Sequence, residues 1–430
     1  MHTESLTFVP DLLSLAAGSP ANFPYLLQSS GETGWDILFA LPASMEIFDR
    51  QSASRLTQTL ENIRVQPDCK QQTLPFRGGW FVYLGYEWLE QLEPSVVARS
   101  EADFPLALLA RIPAAILVNR ADCTAHLIAE TPELLALLKT KLNHQPFQPQ
   151  PITLQALSED TPERFLTGVS RCKQYIREGD VFQVNLSRGW DATLGSEISA
   201  FDLYGRLRQA NPAPFSAYVD LGGQQIVSSS PERLVRIDTN GLAETRPIAG
   251  THPRHADPLE DERQKQRLLA SSKERAEHIM LIDLERNDLG RLATPGTVKV
   301  DALMDVTTYA FVHHIESTVS CQVRPGTNMA EVIRALFPGG TITGCPKVRT
   351  MQIIRELEDR PRHAYTGSLG YINHDGSMDL NILIRTFMQS GQQLYFRAGA
   401  GIVADSDPER ELNETRAKAR GLLRALGVQA

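Results

Sequence analysis

The sequence has little that would tie it to an oxidising compartment, a bilayer or a polyanion. Cysteine is scarce and odd in number: Cys69, Cys123, Cys172, Cys321 and Cys345 are scattered with no C-x-x-C spacing. That excludes a zinc ribbon and a disulfide framework and fits reduced thiols. Long hydrophobic runs are missing. The most apolar stretch, Phe104 to Val118, is broken by Arg111 and Pro113, too short to span a membrane. Glu4 and Pro10 fall where a secretory leader would be basic and apolar, so a cytoplasmic chain is expected. Positive charge is not in excess: 43 Lys+Arg against 51 Asp+Glu give a net charge of −8. This argues against nucleic acid or an anionic membrane as partner, while local basic residues can still reverse the field in one cleft. Repeats and low-complexity tracts are absent too. What is present is ordinary globular composition, 42% apolar over 430 residues, enough for one large core or two to three average domains.

One boundary is visible. Asn143 to Pro151 is polar and proline-rich, which favours an extended linker. It separates an N-terminal segment, 1–145, expected to contribute to the sheet core, from a catalytic region, 155–430. Helices are expected at Pro132–Leu142, from Asp160–Glu163 to Glu178, and at Pro258–Glu285, Met329–Leu336, Lys347–Leu357 and Pro408–Leu426, several with proline in the first turn. Strands are expected at Val181–Trp190, Phe215–Asp220, Gln225–Ser228, Leu234–Asp238, Gly367–Asn373, Met378–Gln389 and Gln392–Ala398. His374-Asp375-Gly376 and Ser390-Gly391 read as hairpin loops. Hairpins imply antiparallel sheet, so the fold class expected is α+β.

Two glycine-rich motifs fail as nucleotide sites. Gly399 to Ala404 matches G-x-G-x-x-A, but no helix opens directly after it and no acid follows at the required distance; it reads as a tight backbone turn whose N–H groups could meet a carboxylate. Gly339 to Lys347 places its lysine two residues too late for a phosphate loop. The same stretch is either an ordinary helix cap or a local anion site carrying Lys347 and Arg349.

The richer chemistry lies in carboxylates. Glu274 and Glu277 on one helix, and Glu411 and Glu414 on another, each stand at i,i+3 and so share a helical face. Either pair alone is an ordinary solvated face; both together are a set of oxygen ligands suited to Mg²⁺. Glu232 follows a strand end behind Ser228, Ser229 and Ser230, placed to act as a general acid if burial raises its pKa. Gly250 and Thr251 lie in a proline-bounded loop. His313 and His314 are adjacent, so on a strand they point to opposite faces.

Taken together, Gln183-Val-Asn-Leu-Ser-Arg188, Ser230-Pro-Glu232, Arg246-Pro-Ile-Ala-Gly-Thr251, Glu274 to Asp288, Thr343-Gly-Cys-Pro-Lys347 and Ala398 to Ser406 resemble the chorismate-utilising enzymes. The resemblance is dense over about 155 to 427 and weaker before it, through Tyr25 to Ser29 and Pro75 to Gly79. It implies two packed antiparallel β-sheets with helices outside and a cleft between helices and sheet. By matching motif it implies Mg²⁺ on Glu277 and Glu414, with Glu274 and Glu411 beside them. It implies substrate contacts from Lys347, Tyr365, Arg385, Gly399, Gly401 and Thr251, Glu232 as the acid for the ring 4-hydroxyl, and His314 beside the ring. Leu27 and Ser29 match a possible tryptophan site.

Family members that use water resemble one another in a lysine at the position of Gln183. Glutamine cannot serve as that base, so an ammonia user is implied, with a separate glutamine amidotransferase subunit as partner. Ala249 stands where aminodeoxychorismate synthases typically carry a lysine, as in anthranilate synthases. Phe337 to Lys347 and Tyr365 to Tyr371 look more like aminodeoxychorismate synthase. The reading carried forward is C4 amination toward 4-aminobenzoate and folate. The alternative is anthranilate synthase component I. A non-catalytic binding protein on the same fold is a third reading, opposed by retention of every site residue.

Overall fold

Short β-branched and aromatic runs separated by turn residues build two antiparallel sheets. The structure, a computed structural model, describes residues 1–63, 74–97, 104–308 and 312–428, without the side chains of Thr251, Lys273 and Val312. The described strands form one sheet of twelve and one of ten, every pair antiparallel. N-terminal strands enter both. Tyr25–Gln28 pairs with Phe215–Asp220 in the first sheet, and Gly79–Leu84 pairs with Ser368–Asn373 in the second.

Aromatic side chains fill the space between the sheets. Tyr25 of the first sheet stacks on Phe81 of the second with centroids 4.3 Å apart, and Phe39 meets Phe81 edge-on at 5.3 Å. Such pairs add about 0.5–1.5 kcal/mol beyond area burial. The outer faces are covered by helices. Ala200–Ala210 and Pro408–Ala425 bury Leu203, Leu207, Ala419 and Leu422 with Trp190 and Phe396 of the first sheet. Phe147 and Gln150 of the expected linker are tied down, their N–H groups donating to Ser14 and Asp202.

Helices with clear caps stand where expected. Pro162–Glu178 ends on Gly179 at φ 83°, the left-handed cap that glycine adopts without strain. Asn328 and Glu331 form a reciprocal capping box on Met329–Leu336. The loops at Gly376 and Gly391 turn their hairpins as read.

Three expectations need correction, and each bears on function. Pro258–Glu285 is two helices, Pro258–Ala270 and Ser272–Gly290; Ser271 closes the first and caps the second by accepting from the Glu274 N–H. Met378–Gln389 is two strands in different sheets, Met378–Asn381 in the second and Thr386–Ser390 in the first. Between them Ile382 to Arg385 crosses the interlayer gap, and Arg385 takes φ 51°. Gly399 to Ile402 is no turn: the Gln393–Ile402 strand runs straight through it.

Among the described residues no helix is long and apolar enough to cross a membrane.

Candidate functional site

The site grows from a topological coincidence. Two crossings between the sheets run side by side in opposite directions, one from the first sheet to the second and one back. One crossing follows Gln224–Ser230 and carries Glu232; the other precedes Thr386–Ser390 and carries Arg385. The crossings are laced together, with Ser229 N–H donating to Arg385 O and Ile382 N–H to Glu232 O. Strand pairing stops there, so side chains can point into a cleft instead of a core.

Glu232 is only 7% exposed, and Thr341 Oγ1 donates to its Oε1 at 2.5 Å. Burial pushes its pKa up to about 7, opposed by the Thr341 hydrogen bond and by the charges of Lys418 and Arg385. It is therefore a carboxyl able to hold a proton near neutrality. Behind it Glu285 is pushed up to about 8 by burial, with Asp288 adding to the shift.

His314 and His313 do point oppositely, and both are buried. His313 is spent on structure, bonded to Asp261 Oδ1 and Thr308 Oγ1 at 2.9 Å each. His314 Nδ1 lies 2.9 Å from the Gly250 carbonyl, and burial lowers its pKa to about 4. The ring is thus neutral at pH 7, with Nδ1–H donating and Nε2 the acceptor. Arg385 and Lys418 act on it electrostatically, which puts all three in one neighbourhood.

Lys418 was not singled out from sequence. It follows Glu414 by four residues and bonds its carboxylate at 2.7 Å, an ordinary helix-surface pair by spacing alone. In the fold its charge also reaches Glu277, Tyr365, Glu232 and His314. Its side chain is 45% exposed, with the ammonium held on Glu414. Lys347 behaves in the opposite way. Expected on a substrate carboxylate, its ammonium is instead bonded to the buried Asp288 carboxylate. Arg349 is held by Asp180. Lys418 and Arg385 are cations whose charge reaches both Glu232 and His314.

Gly399 and Gly401 let the side chains of Asn185, Tyr365 and Gln183 pack directly on their strand. A Cβ on Gly399 would lie 2.5 Å from Asn185 Oδ1 and 2.7 Å from the Tyr365 hydroxyl; one on Gly401 would lie 2.4 Å from Gln183 Nε2. Tyr365 itself is buried, with Arg362 over its ring at 5.6 Å. Arg362 belongs to a buried network in which Glu358 meets Arg362 at 2.7 Å, Arg397 at 3.0 Å and the Ser187 N–H at 2.9 Å. That network clamps Tyr365 and two central strands as one rigid wall.

The four glutamates divide. Glu277 accepts from Gln183 Nε2 at 2.9 Å, and its neighbour His278 anchors the helix through Ser317 Oγ at 2.7 Å. Glu414 shares Lys418 with Glu277. Glu274 lies against Gly250 and Glu411 is buried. Among the described residues no three His, Cys, Asp or Glu side chains stand close enough to hold a metal unaided. Mg²⁺ does not need three: one or two carboxylates with water and substrate oxygens suffice, and Glu277 and Glu414, both acting on Lys418, are a fitting donor set. The Thr251 backbone pairs with His314; its side chain lies outside the described residues.

A separate cavity of about 710 Å³ opens between the sheets, lined by Leu27, Gln28, Ser29, Phe215, Arg233 and Tyr371 among others.

A buried acid, a neutral imidazole, two cations and a carboxylate pair are thus brought into one neighbourhood. The family model described as chorismate binding enzyme matches residues 22–424, and the chain belongs to that family. It is 39% identical to anthranilate synthase component 1 1 of Haloarcula marismortui, over 94% of this chain and 87% of that one. It is equally 39% identical to aminodeoxychorismate synthase component 1 of Escherichia coli K12, over 86% of this chain and 82% of that one. The crystal structure of anthranilate synthase component I from Streptococcus pneumoniae superposes with a TM-score of 0.78 at 29% identity, covering 92% of this chain and 93% of that one. The α+β fold of two packed antiparallel sheets is the family's, and membership makes the chain an enzyme acting on chorismate.

Proposed function

We propose that the chain aminates chorismate at ring carbon 4, as an aminodeoxychorismate synthase component I, with ammonia supplied by a separate glutamine amidotransferase subunit. The observation that carries the reading is Glu232, a buried carboxyl with a pKa near 7, sharing its cleft with the cations Lys418 and Arg385. Gln183, not a lysine, opens the Gln183–Leu194 strand, which pairs with Gln393–Ile402. Chorismate carries two carboxylates and a poor leaving group; the cations bind the first and the acid serves the second.

The nitrogen lone pair of ammonia forms the new C–N bond. The ring hydroxyl leaves with its bonding pair, takes the Glu232 proton and departs as water. One proton of the resulting ammonium group returns to the Glu232 carboxylate. His314, neutral, offers an acceptor beside the ring. Mg²⁺ would be held by Glu277 and Glu414, with Glu274 and Glu411 beside them, and would neutralise the ring carboxylate. Gly399, Gly401, Tyr365 and Thr251 shape the pocket, and Lys347, through Asp288, braces the helix that carries Glu277.

C4 is favoured by the stretches around Thr343 and Tyr365. The second reading, C2 amination with loss of pyruvate, is favoured by Ala249, buried and without an amine to attack C2 covalently. Chorismate, Mg²⁺ and ammonium should be consumed by the purified chain without stoichiometric pyruvate, giving a product that a separate lyase turns into 4-aminobenzoate. Pyruvate together with 2-aminobenzoate would establish the second reading instead. Glutamine alone should support no turnover until the amidotransferase is added.

We also infer that the cavity at Leu27 and Ser29 takes an aromatic amino acid such as tryptophan. Its volume of about 710 Å³ suits a small ligand, and Phe215 and Tyr371 offer ring faces. Calorimetry should find saturable tryptophan binding that Ser29→Trp, by filling the cavity, abolishes; equal binding by both proteins would remove the assignment.

A further inference from the structure

One buried arginine commits every donor it has to the segments around the site. Arg362 is 1% exposed. Its Nε donates to Glu358 Oε2 at 2.9 Å, and its Nη2 to Glu358 Oε1 at 2.7 Å and to the Asn185 carbonyl at 2.8 Å. Its Nη1 donates to the Ile342 carbonyl and to Thr366 Oγ1, at 3.2 Å each. A guanidinium has five N–H donors in a rigid fork, and these five bonds use all of them. The rings of Tyr86 and Tyr365 lie 4.8 and 5.6 Å from it. Buried ion pairs can often be replaced by apolar side chains of like volume without loss of stability. What the arginine adds is geometry: oxygens from three separate segments, besides its own carboxylate partner, are fixed to one plane.

Each of those segments carries a group of the site. Ile342 follows Thr341, whose hydroxyl donates to Glu232 Oε1 at 2.5 Å. Thr366 follows Tyr365 and donates to the Tyr365 carbonyl at 2.6 Å. The Asn185 N–H donates to the Thr343 carbonyl at 2.8 Å, so the strand held by Nη2 in turn holds the loop held by Nη1. The backbone around Arg362 is itself fixed. Glu87 accepts from the N–H groups of Arg362 and His363 at 2.7 and 3.0 Å. His363 and Thr366 sit at φ 52° and 62°, left-handed conformations that residues other than glycine keep only when their neighbours enforce them.

We propose that Arg362 is a positioning residue for proton delivery: its hold on the Ile342 carbonyl aims the Thr341 hydroxyl at the Glu232 carboxyl. The proposal rests on the reading of Glu232 as the acid. A hydroxyl that donates to a carboxylate stabilises the charged form, so Thr341 restrains the rise that burial imposes on the Glu232 pKa. Charged groups from the surrounding elements act on Glu232 as well. Lys418 and Arg385 oppose the rise, Glu316 adds to it, and Glu285 feels the Glu232 charge in turn. Substitution at Thr341 or Arg362 removes none of these.

The kcat of the full chain with chorismate, magnesium chloride and ammonium chloride, followed from neutral to alkaline pH, tests this. Thr341→Val removes the hydroxyl and should move the midpoint of the alkaline limb up by about one pH unit, the worth of one hydrogen bond to a charged group. Arg362→Lys keeps a charge for Glu358 but loses the fork, and should move the midpoint the same way by at least about half as much. The double variant should move it no further than Thr341→Val alone, because both changes act through one hydrogen bond. If Arg362→Lys does not fold, Arg362→Gln combined with Glu358→Gln keeps the net charge of the cluster and carries the same expectation. A folded variant at position 362 whose midpoint stays at the wild-type value overturns the proposal, however far its kcat or melting temperature falls. So do shifts that add in the double variant, which would give Arg362 a route to the acid apart from Thr341, and so does a Thr341→Val midpoint that does not move. A wild-type chain that shows no alkaline limb, or a limb that Glu232→Gln retains, overturns the acid reading instead.

Discussion

Glu232→Gln is expected to lower kcat for chorismate consumption by about a hundred- to ten-thousandfold, the range lost with a positioned general acid. Glutamine keeps the shape and can still accept from Thr341 Oγ1, so the protein should fold and chorismate should bind much as before. What it cannot do is release a proton to the departing hydroxyl. The pH dependence gives an independent check. Burial raises the Glu232 pKa from its ordinary 4.5 to about 7. The working form is the protonated one, so it is abundant below pH 7 and lost as pH rises through that value. At saturating ammonium, the kcat of the wild type should fall on the alkaline side with a midpoint near 7. The glutamine variant should lack that limb. A variant within tenfold of wild type, or one retaining the limb, would take the acid role from Glu232.

Glu277→Gln and Glu414→Gln should each reduce turnover at about 1 mM Mg²⁺ by at least a hundredfold while leaving the fold intact. Losing even an outer partner of a metal ligand costs about 10–100-fold in affinity, and a direct ligand costs more. Glutamine keeps the shape of each side chain: Glu414 is 47% exposed, and Glu277 is half-buried and accepts from Gln183 Nε2. Each substitution is isosteric, so melting temperatures should stay within a few degrees of wild type, about the effect of one exposed ion pair. Calorimetric titration of Mg²⁺ in the presence of chorismate separates a binding defect from a chemical one. Wild-type affinity for Mg²⁺ in either variant would exclude that residue from the metal.

The sequence by itself determined what is local. Caps at Asn328 and Gly179, prolines opening Pro162–Glu178 and Pro408–Ala425, and glycines at the hairpins act within a few residues, and they set helices and hairpins that the fold kept. The i,i+3 spacing of Glu274 with Glu277, and of Glu411 with Glu414, put carboxylates on shared faces for the same reason. The Ser271-to-Glu274 cap was legible too, but an unbroken helical pattern ran over it.

Tertiary structure decided what depends on distant partners. Met378–Gln389 reads as one strand because no glycine or proline interrupts it; only the packing of two sheets splits it, and that split places Arg385 beside Glu232. Gly399 and Gly401 look like a turn until Asn185, Tyr365 and Gln183 are seen to need the space. Lys347 and Lys418 are equally plausible cations in sequence. Asp288, 59 residues before Lys347, claims the first, while Lys418, paired within its own helix, still reaches the cleft. A cap or a turn is settled by neighbours along the chain; the charge a substrate meets is settled by whichever groups the sheets bring together, and no spacing records that.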